Sequence, residues 1–264
     1  MQIRSPRQIT ESTLDVARAK VALPTSRLAV QAVMAGAFIA LGGMFSVIAG
    51  CGFPEVTAAN PSLQRLLSGM TFPIGLILVV VLGAELFTGN NATMIPGLIK
   101  GEHDWKAVAR NWFVVYFGNF LGALLFAWGL VYCADLTAAD PYHSAVIRSA
   151  TVKTSLPWLT VLLRGIGANW CVCLAVWLAL AGKTLAEKML GCFFPVMAFV
   201  VLGYEHCIAN MFFIPLGMME GAQVSVGQFV WANLIPATIG NIIGGAVFVG
   251  CVNAWVHLLP RKNC

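Results

Sequence analysis

The chain has 264 residues, 59% hydrophobic and 10% charged, with a formal net charge of +5. Soluble domains carry about 25% charged residues, so this deficit, with a mean hydropathy of +0.81, argues against a soluble enzyme and for a multi-span membrane protein. The basic residues punctuate apolar stretches as topology-setting loops do, which argues against a nucleic-acid partner.

Residues 1–27 are polar and basic, with no apolar core ahead of a small-residue cleavage site, so no cleavable signal peptide is expected. Ser5-Pro6 reads as an N-cap followed by Pro at the first helical position. Residues 6–22 then predict an amphipathic helix lying along the membrane surface.

Apolar segments follow at 28–51, 70–100, 107–134, 157–182, 188–219 and 227–257. A spanning helix needs about 20 apolar residues. The first, third, fourth and sixth segments fit one span each. The second and fifth are too long for one helix and too short for two. Each is interrupted by polar residues: Glu85, Thr88, Gly89, Asn90 and Asn91 in one, and Glu205, His206 and Asn210 in the other. Broken helices are predicted, joined by loops that survive at membrane depth only if buried in protein or lining a cavity. With six crossings both termini share one side, and that side collects most of the Lys and Arg residues, so both termini are expected in the cytoplasm. The expected organisation is an N-terminal cytoplasmic helix at 1–27, a membrane channel domain at 28–258 and a cytoplasmic tail at 259–264.

An internal repeat runs through these spans. Asn111, Gly118-Asn119, Gly122 and Phe126 match Asn233, Gly240-Asn241, Gly244 and Phe248 at one spacing. Phe72-Pro73, Gly83-Ala-Glu85 and Ile95-Pro96 match Phe194-Pro195, Gly203-Tyr-Glu205 and Ile214-Pro215. Three spans per half make the halves, about 28–134 and 157–258, run oppositely through the membrane. Matched broken helices in an inverted repeat mark a binding or permeation site near the midplane.

Glu85 and Glu205 are intramembrane carboxylates and are expected to face the protein interior. A structural role is favoured, each anchoring its loop by accepting N–H bonds; the other reading is a proton relay or cation site. His206 has no counterpart in the first half, where Leu86 stands, and a pore-lining, proton-exchanging role is favoured. Thr88 and Asn169 are its candidate hydrogen-bond partners, and Asn169 serves equally as glue between helices. Asn210 reads as a cap or loop tether. Lys153, before the fourth span, reads as a snorkelling interfacial lysine or as a cation that concentrates anions at a pore mouth. Arg164 lies inside the fourth span and is not assigned to the pore. The eight cysteines have no metal-ligand spacing and read as small buried hydrophobes. No metal or cofactor is expected.

The loop Glu85-Leu-Phe-Thr-Gly89, the Lys153…Asn169 pair, the runs Asn169-Trp-Cys-Val-Cys-Leu-Ala-Val-Trp177 and Gly203-Tyr-Glu-His-Cys-Ile-Ala-Asn-Met211, Ile214-Pro215 and the stretch 236–245 together resemble the formate/nitrite transporter family. The resemblance covers nearly the whole chain. It implies an all-α, aquaporin-like fold of six transmembrane helices, as three plus three inverted with the second and fifth broken, in a homopentamer with one pore per protomer. It implies a central His at His206, with Thr88 and Asn169, and a vestibule Lys at Lys153. It further implies a cytoplasmic constriction at Phe72, Leu76, Leu86 and Phe87, and a periplasmic one at Phe199 with Val172 nearby. Gly89 departs from the Ser that follows Leu-Phe-Thr in the family's best-known formate channel, and Arg164 is charged where that channel is apolar.

The expected function is passage of a small monovalent anion, formate or nitrite, across the inner membrane, as the neutral acid formed at or before His206. A hydrosulfide or lactate channel is the rival within transport. A non-transporting sensor or scaffold is the rival outside it, disfavoured by the short loops. A neutral-solute channel would place Asn-Pro-Ala at two loop ends, and the sequence has none.

Overall fold

The computed structural model describes residues 3–259; the expected tail at 259–264 lies outside them apart from Leu259. Among the described residues every regular element is helical, and six helices are long and apolar enough to cross a membrane.

Helix α1 (Pro6–Ala22) is capped as its sequence predicts: the Ser5 hydroxyl accepts from Gln8 N and the Gln8 side chain returns a bond to Ser5 N. Its buried face packs on protein. Thr10, Thr13 and Ala17 are its buried residues, and Ala17 packs with Met94 and Val108. Ile9 and Val21 pack beside this stripe of small residues, so the inward side of α1 is seated against the spans. α2 (Thr25–Cys51) is the first span. A short helix α3 (Pro54–Ala59) leads to α4 (Pro61–Thr71) and α5 (Ile74–Leu82), which meet at Phe72-Pro73, and then to α6 (Phe87–Thr93) and α7 (Ile95–Ile99). α4 lies ahead of the apolar segment expected to start at 70. Its Gln64, Arg65 and Ser68 line a cavity, which lowers its hydropathy without ending the helix.

The third span, α8, runs Trp105–Tyr132 and ends in a π-helical stretch at Phe126–Tyr132. α9 (Tyr142–Ser155), which no apolar segment of the sequence marks, is polar on much of its surface. α10 (Trp158–Ala181) and α11 (Leu185–Leu202) are the fourth and fifth spans, α12 (Cys207–Met219) continues past the second break, and α13 (Val226–His257) is the sixth.

Apolar burial gives little drive for helix association inside a bilayer, so close backbone approach and interhelical polar bonds must supply it. Both halves use the same device. α8 packs on α2, where a Cβ on Gly122 would collide with the Val33 carbonyl. α13 packs on α10, where a Cβ on Gly244 would collide with the Ile166 carbonyl. Outward faces carry large apolar side chains, Phe113, Trp231 and Trp255 among them, as a lipid-facing or subunit-facing surface requires.

Candidate functional site

Two breaks of the same form interrupt the second and fifth helical segments. α5 ends on Gly83 and α11 on Gly203, each with φ 71°, a left-handed C-cap that glycine adopts without steric cost. Glu85 N then donates to Gln31 O and Glu205 N to Arg164 O, each at 3.3 Å. Leu86 and His206 occupy the N-caps of α6 and α12 with nearly equal backbone angles, φ −107° and −106°.

The loop backbone is held by paired asparagines. Asn119 Oδ1 accepts from Phe87 N at 2.9 Å, and its Nδ2 donates to Ala32 O at 2.7 Å and Glu85 O at 2.9 Å. Asn241 Oδ1 accepts from Cys207 N at 2.8 Å, and its Nδ2 donates to Gly165 O at 2.8 Å and Glu205 O at 3.0 Å. The expectation that the two glutamates take backbone N–H bonds is therefore corrected. Their carboxylates accept from side chains: Glu85 from Lys20 and Asn90, both at 2.7 Å, and Glu205 from Lys153 at 3.1 Å, Asn210 at 2.8 Å and Asn233 at 3.1 Å. Asn90 and Asn210 also donate to Asn111 and Asn233, at 2.8 and 2.7 Å. A buried carboxylate is tolerable when paired and fully hydrogen-bonded, and both have that setting.

Lys20 was missed in the sequence, and the signal was present. Lys20-Val-Ala-Leu-Pro24 and Lys153-Thr-Ser-Leu-Pro157 keep one spacing, and in both the Leu-Pro pair ends a short helix and starts a span. Each repeat thus comprises a leading helix, α1 or α9, and three spans, and begins earlier than the 28 and 157 expected. Lys153 is also not a free cation: its ammonium contacts both Glu205 oxygens and sits 5.6 Å from the Phe213 ring centroid.

The symmetry fails at His206. Its Nδ1 accepts from Ala209 N at 3.1 Å, capping α12, and its Nε2 lies 3.0 Å from Thr88 Oγ1. An Nδ1 engaged as acceptor carries no proton, so the hydrogen bonds assign the neutral ring with its N–H on Nε2. That N–H donates to Thr88 Oγ1 and leaves the Thr88 hydroxyl proton free for a third group. Both residues are buried, with 2% and 0% exposure. The imidazole stacks on Phe199, with centroids 5.8 Å apart and planes at 22°.

A cavity of about 890 Å³ reaches His206 from the α9 side, lined by Phe72, Phe199, Lys153 and Arg164 among others. Phe72 and Phe199 meet edge to face with centroids 5.5 Å apart. Phe72 therefore stands with Phe199 on the cavity wall, which Leu76 and Leu86 do not line. Leu76, Leu86 and Val172 are each 2% exposed, in the apolar core that also holds Phe72, Phe87 and Phe199. Phe87 packs edge-on against Trp112 and Tyr116 of α8, so its ring is committed to that helix. Asn169 Nδ2 donates to Thr88 O at 3.1 Å, Asn91 Oδ1 at 3.2 Å and Asn241 O at 2.6 Å. It positions the Thr88 backbone and does not bond His206. Arg164, left out of the pore on sequence, lines the cavity. The seven cysteines among the described residues are free, and Cys133 is exposed, contrary to a uniformly buried set.

A family model described as formate/nitrite transporter matches residues 7–255. The chain belongs to the formate/nitrite transporter family. It is 41% identical to an uncharacterized transporter, YrhG, of Bacillus subtilis, over 96% of this chain and 93% of that protein. It is 37% identical to a probable formate transporter of Methanothermobacter thermautotrophicus, over 97% of each. Among solved structures it resembles a pentameric formate channel with formate bound, with a TM-score of 0.77 and 31% identity over 89% of this chain and 98% of that one. As a formate/nitrite transporter family member it is a multi-pass membrane protein of a transporter class and not an enzyme. Its twin breaks and inverted halves are the fold of that family.

Proposed function

We propose that this protein is a channel or transporter for small monovalent anions, formate first and nitrite second, and that it works as a homopentamer in the cell membrane with both termini in the cytoplasm. The observation that carries this reading is the Thr88–His206 contact at the inner end of a cationic cavity, behind the Phe72–Phe199 pair. The formate-bound pentameric relative supports the substrate and the assembly. The excess of Lys and Arg on the α1 side supports the orientation.

Phe72 with Phe199, with Val172 nearby, forms one apolar constriction and Leu76 with Leu86 the other, on either side of His206 and Thr88. Stripping water from a bare anion there costs many kcal/mol, so the anion crosses as the neutral acid. Its proton comes from solvent. A neutral His206 giving up its one N–H proton would be left as an imidazolate, while protonating Nδ1 would break the α12 cap. His206 therefore holds the Thr88 hydroxyl as a donor to the passing anion and is not the net proton source. Glu85, Glu205 and Asn210 anchor the loops. Lys153 retains one N–H for an anion.

The test is uptake into proteoliposomes of formate, nitrite, hydrosulfide, lactate and glycerol. Formate and nitrite uptake that rises as external pH falls is expected, with no glycerol uptake. Hydrosulfide or lactate uptake without formate uptake would replace this reading with the rival channel. No uptake of any solute would favour a sensor or scaffold.

A further inference from the structure

A lone arginine inside a spanning helix must be compensated or used. Arg164 of α10 has no side-chain hydrogen bond or ion pair among the described residues, and it lines the cavity that leads to His206. The two carboxylates on that cavity are already engaged. Glu205 is held by Lys153, Asn210 and Asn233. Asp140 accepts from the Ser144 N–H and hydroxyl at 3.0 and 2.5 Å. Arg65 and Arg148, exposed at the cavity wall, are likewise without an ion partner among the described residues. The cavity is therefore cationic in a way that the Lys153–Glu205 pair does not account for.

Arg164 also sits at a defined depth. Its carbonyl accepts from Glu205 N at 3.3 Å, so its backbone is tied to the residue just before His206. Arg65 and Arg148 are exposed, Arg164 is half-buried, and His206 is buried. The charge deepens toward the site.

Resting on the anion-transport reading, we infer that Arg164 forms an oxoanion capture site in this cavity. It selects anions that present two oxygens on one face, such as nitrite, formate and other small carboxylates, over anions with a single acceptor atom such as hydrosulfide. The guanidinium is a planar fork whose parallel N–H groups match the two oxygens of a carboxylate; an ammonium is a point charge without that match. A half-buried fork with no protein partner is free to take such an anion, and hydrosulfide offers only one acceptor atom. Arg65 and Arg148 raise the local anion concentration without sorting it.

The experiment is titration calorimetry of sodium formate, nitrite and hydrosulfide into the detergent-solubilised full chain, as wild type, R164Q and R164K, with proteoliposome uptake run in parallel. Removing a charge-assisted bidentate contact should weaken formate and nitrite binding roughly ten- to a hundredfold. Hydrosulfide should be unaffected, and R164K should fail to restore the loss. The inference is overturned by unchanged formate affinity in R164Q, by equal loss for all three anions, by full recovery in R164K, or by no formate binding to wild type. Should R164Q not elute as the wild-type oligomer, R164K alone decides between fork and charge. Wild-type binding of formate without uptake would sink the transport reading and leave the capture site standing. Uptake with no effect of either substitution would do the reverse.

Discussion

Lys20 and Lys153 hold the same place in the two halves of the chain. Each stands three residues before a Leu-Pro junction, and each gives its ammonium to the carboxylate of a helix break: Lys20 to Glu85 at 2.7 Å, Lys153 to Glu205 at 3.1 Å. α1 is thereby bonded to the inside of the fold. Arg110 strengthens the attachment, with Nη2 donating to Leu23 O at 2.7 Å and Thr25 Oγ1 at 2.9 Å.

Because the Lys20 and Glu85 side chains are only 13% and 6% exposed, breaking the pair from one side strands a buried charge. K20M should destabilise the protein by about 3–5 kcal/mol, and K20M/E85Q should recover a large part of that. Thermal unfolding of the solubilised protein measures both. Limited trypsin digestion should cut α1 faster in K20M than in wild type. A K20M protein as stable and as protease-resistant as wild type would show that the pair does not hold α1.

The twin asparagines make a second prediction. N119D and N241D keep shape but turn two N–H donors into a carboxylate oxygen facing two carbonyls. Each should cost roughly 2–5 kcal/mol, and the two costs should be similar. Yield of folded oligomer by size-exclusion chromatography and thermal unfolding test this. A large effect at one position and none at the other would contradict equal roles in the two halves.

Close packing gives the third. G122A and G244A each drive a methyl into a carbonyl of the neighbouring helix and should prevent stable folding or cost several kcal/mol, as overpacked cores do. G129A, where nothing stands within 4 Å of the added carbon, should change stability by no more than about 1 kcal/mol. Comparative expression and unfolding of the three variants separates packing from a general dislike of substitution.

Much of this arrangement could be read in the sequence because its signals are chemical and local. Glu85, Thr88, Glu205 and His206 stand out against apolar surroundings, and the Asn119/Asn241 match was visible at one spacing. Other parts could not be read, for physical reasons. α4 and α9 are helices whose cavity-facing sides are polar, so hydropathy hid them. α1 is amphipathic by sequence, yet its buried stripe is Thr10, Thr13 and Ala17, which suits a slot in protein better than a lipid surface. Phe72 meets Phe199 across the fold and not the Leu76–Leu86 group expected of it, a contact between distant segments that no local spacing encodes. Arg164 has no sequence neighbour that shows where its charge goes; only the cavity beside it does.

The central claim is that His206 holds the Thr88 hydroxyl as a donor without being the net source of the proton. Initial formate uptake in proteoliposomes across external pH tests it most directly, for wild type, H206Q, H206F and T88V. H206Q keeps an N–H donor that cannot titrate, so it should retain uptake within about threefold of wild type with the same rise at low pH. H206F and T88V, each losing one link, should fall roughly tenfold or more. Abolished uptake or a lost pH dependence in a correctly assembled H206Q, or wild-type uptake in T88V, would contradict the account.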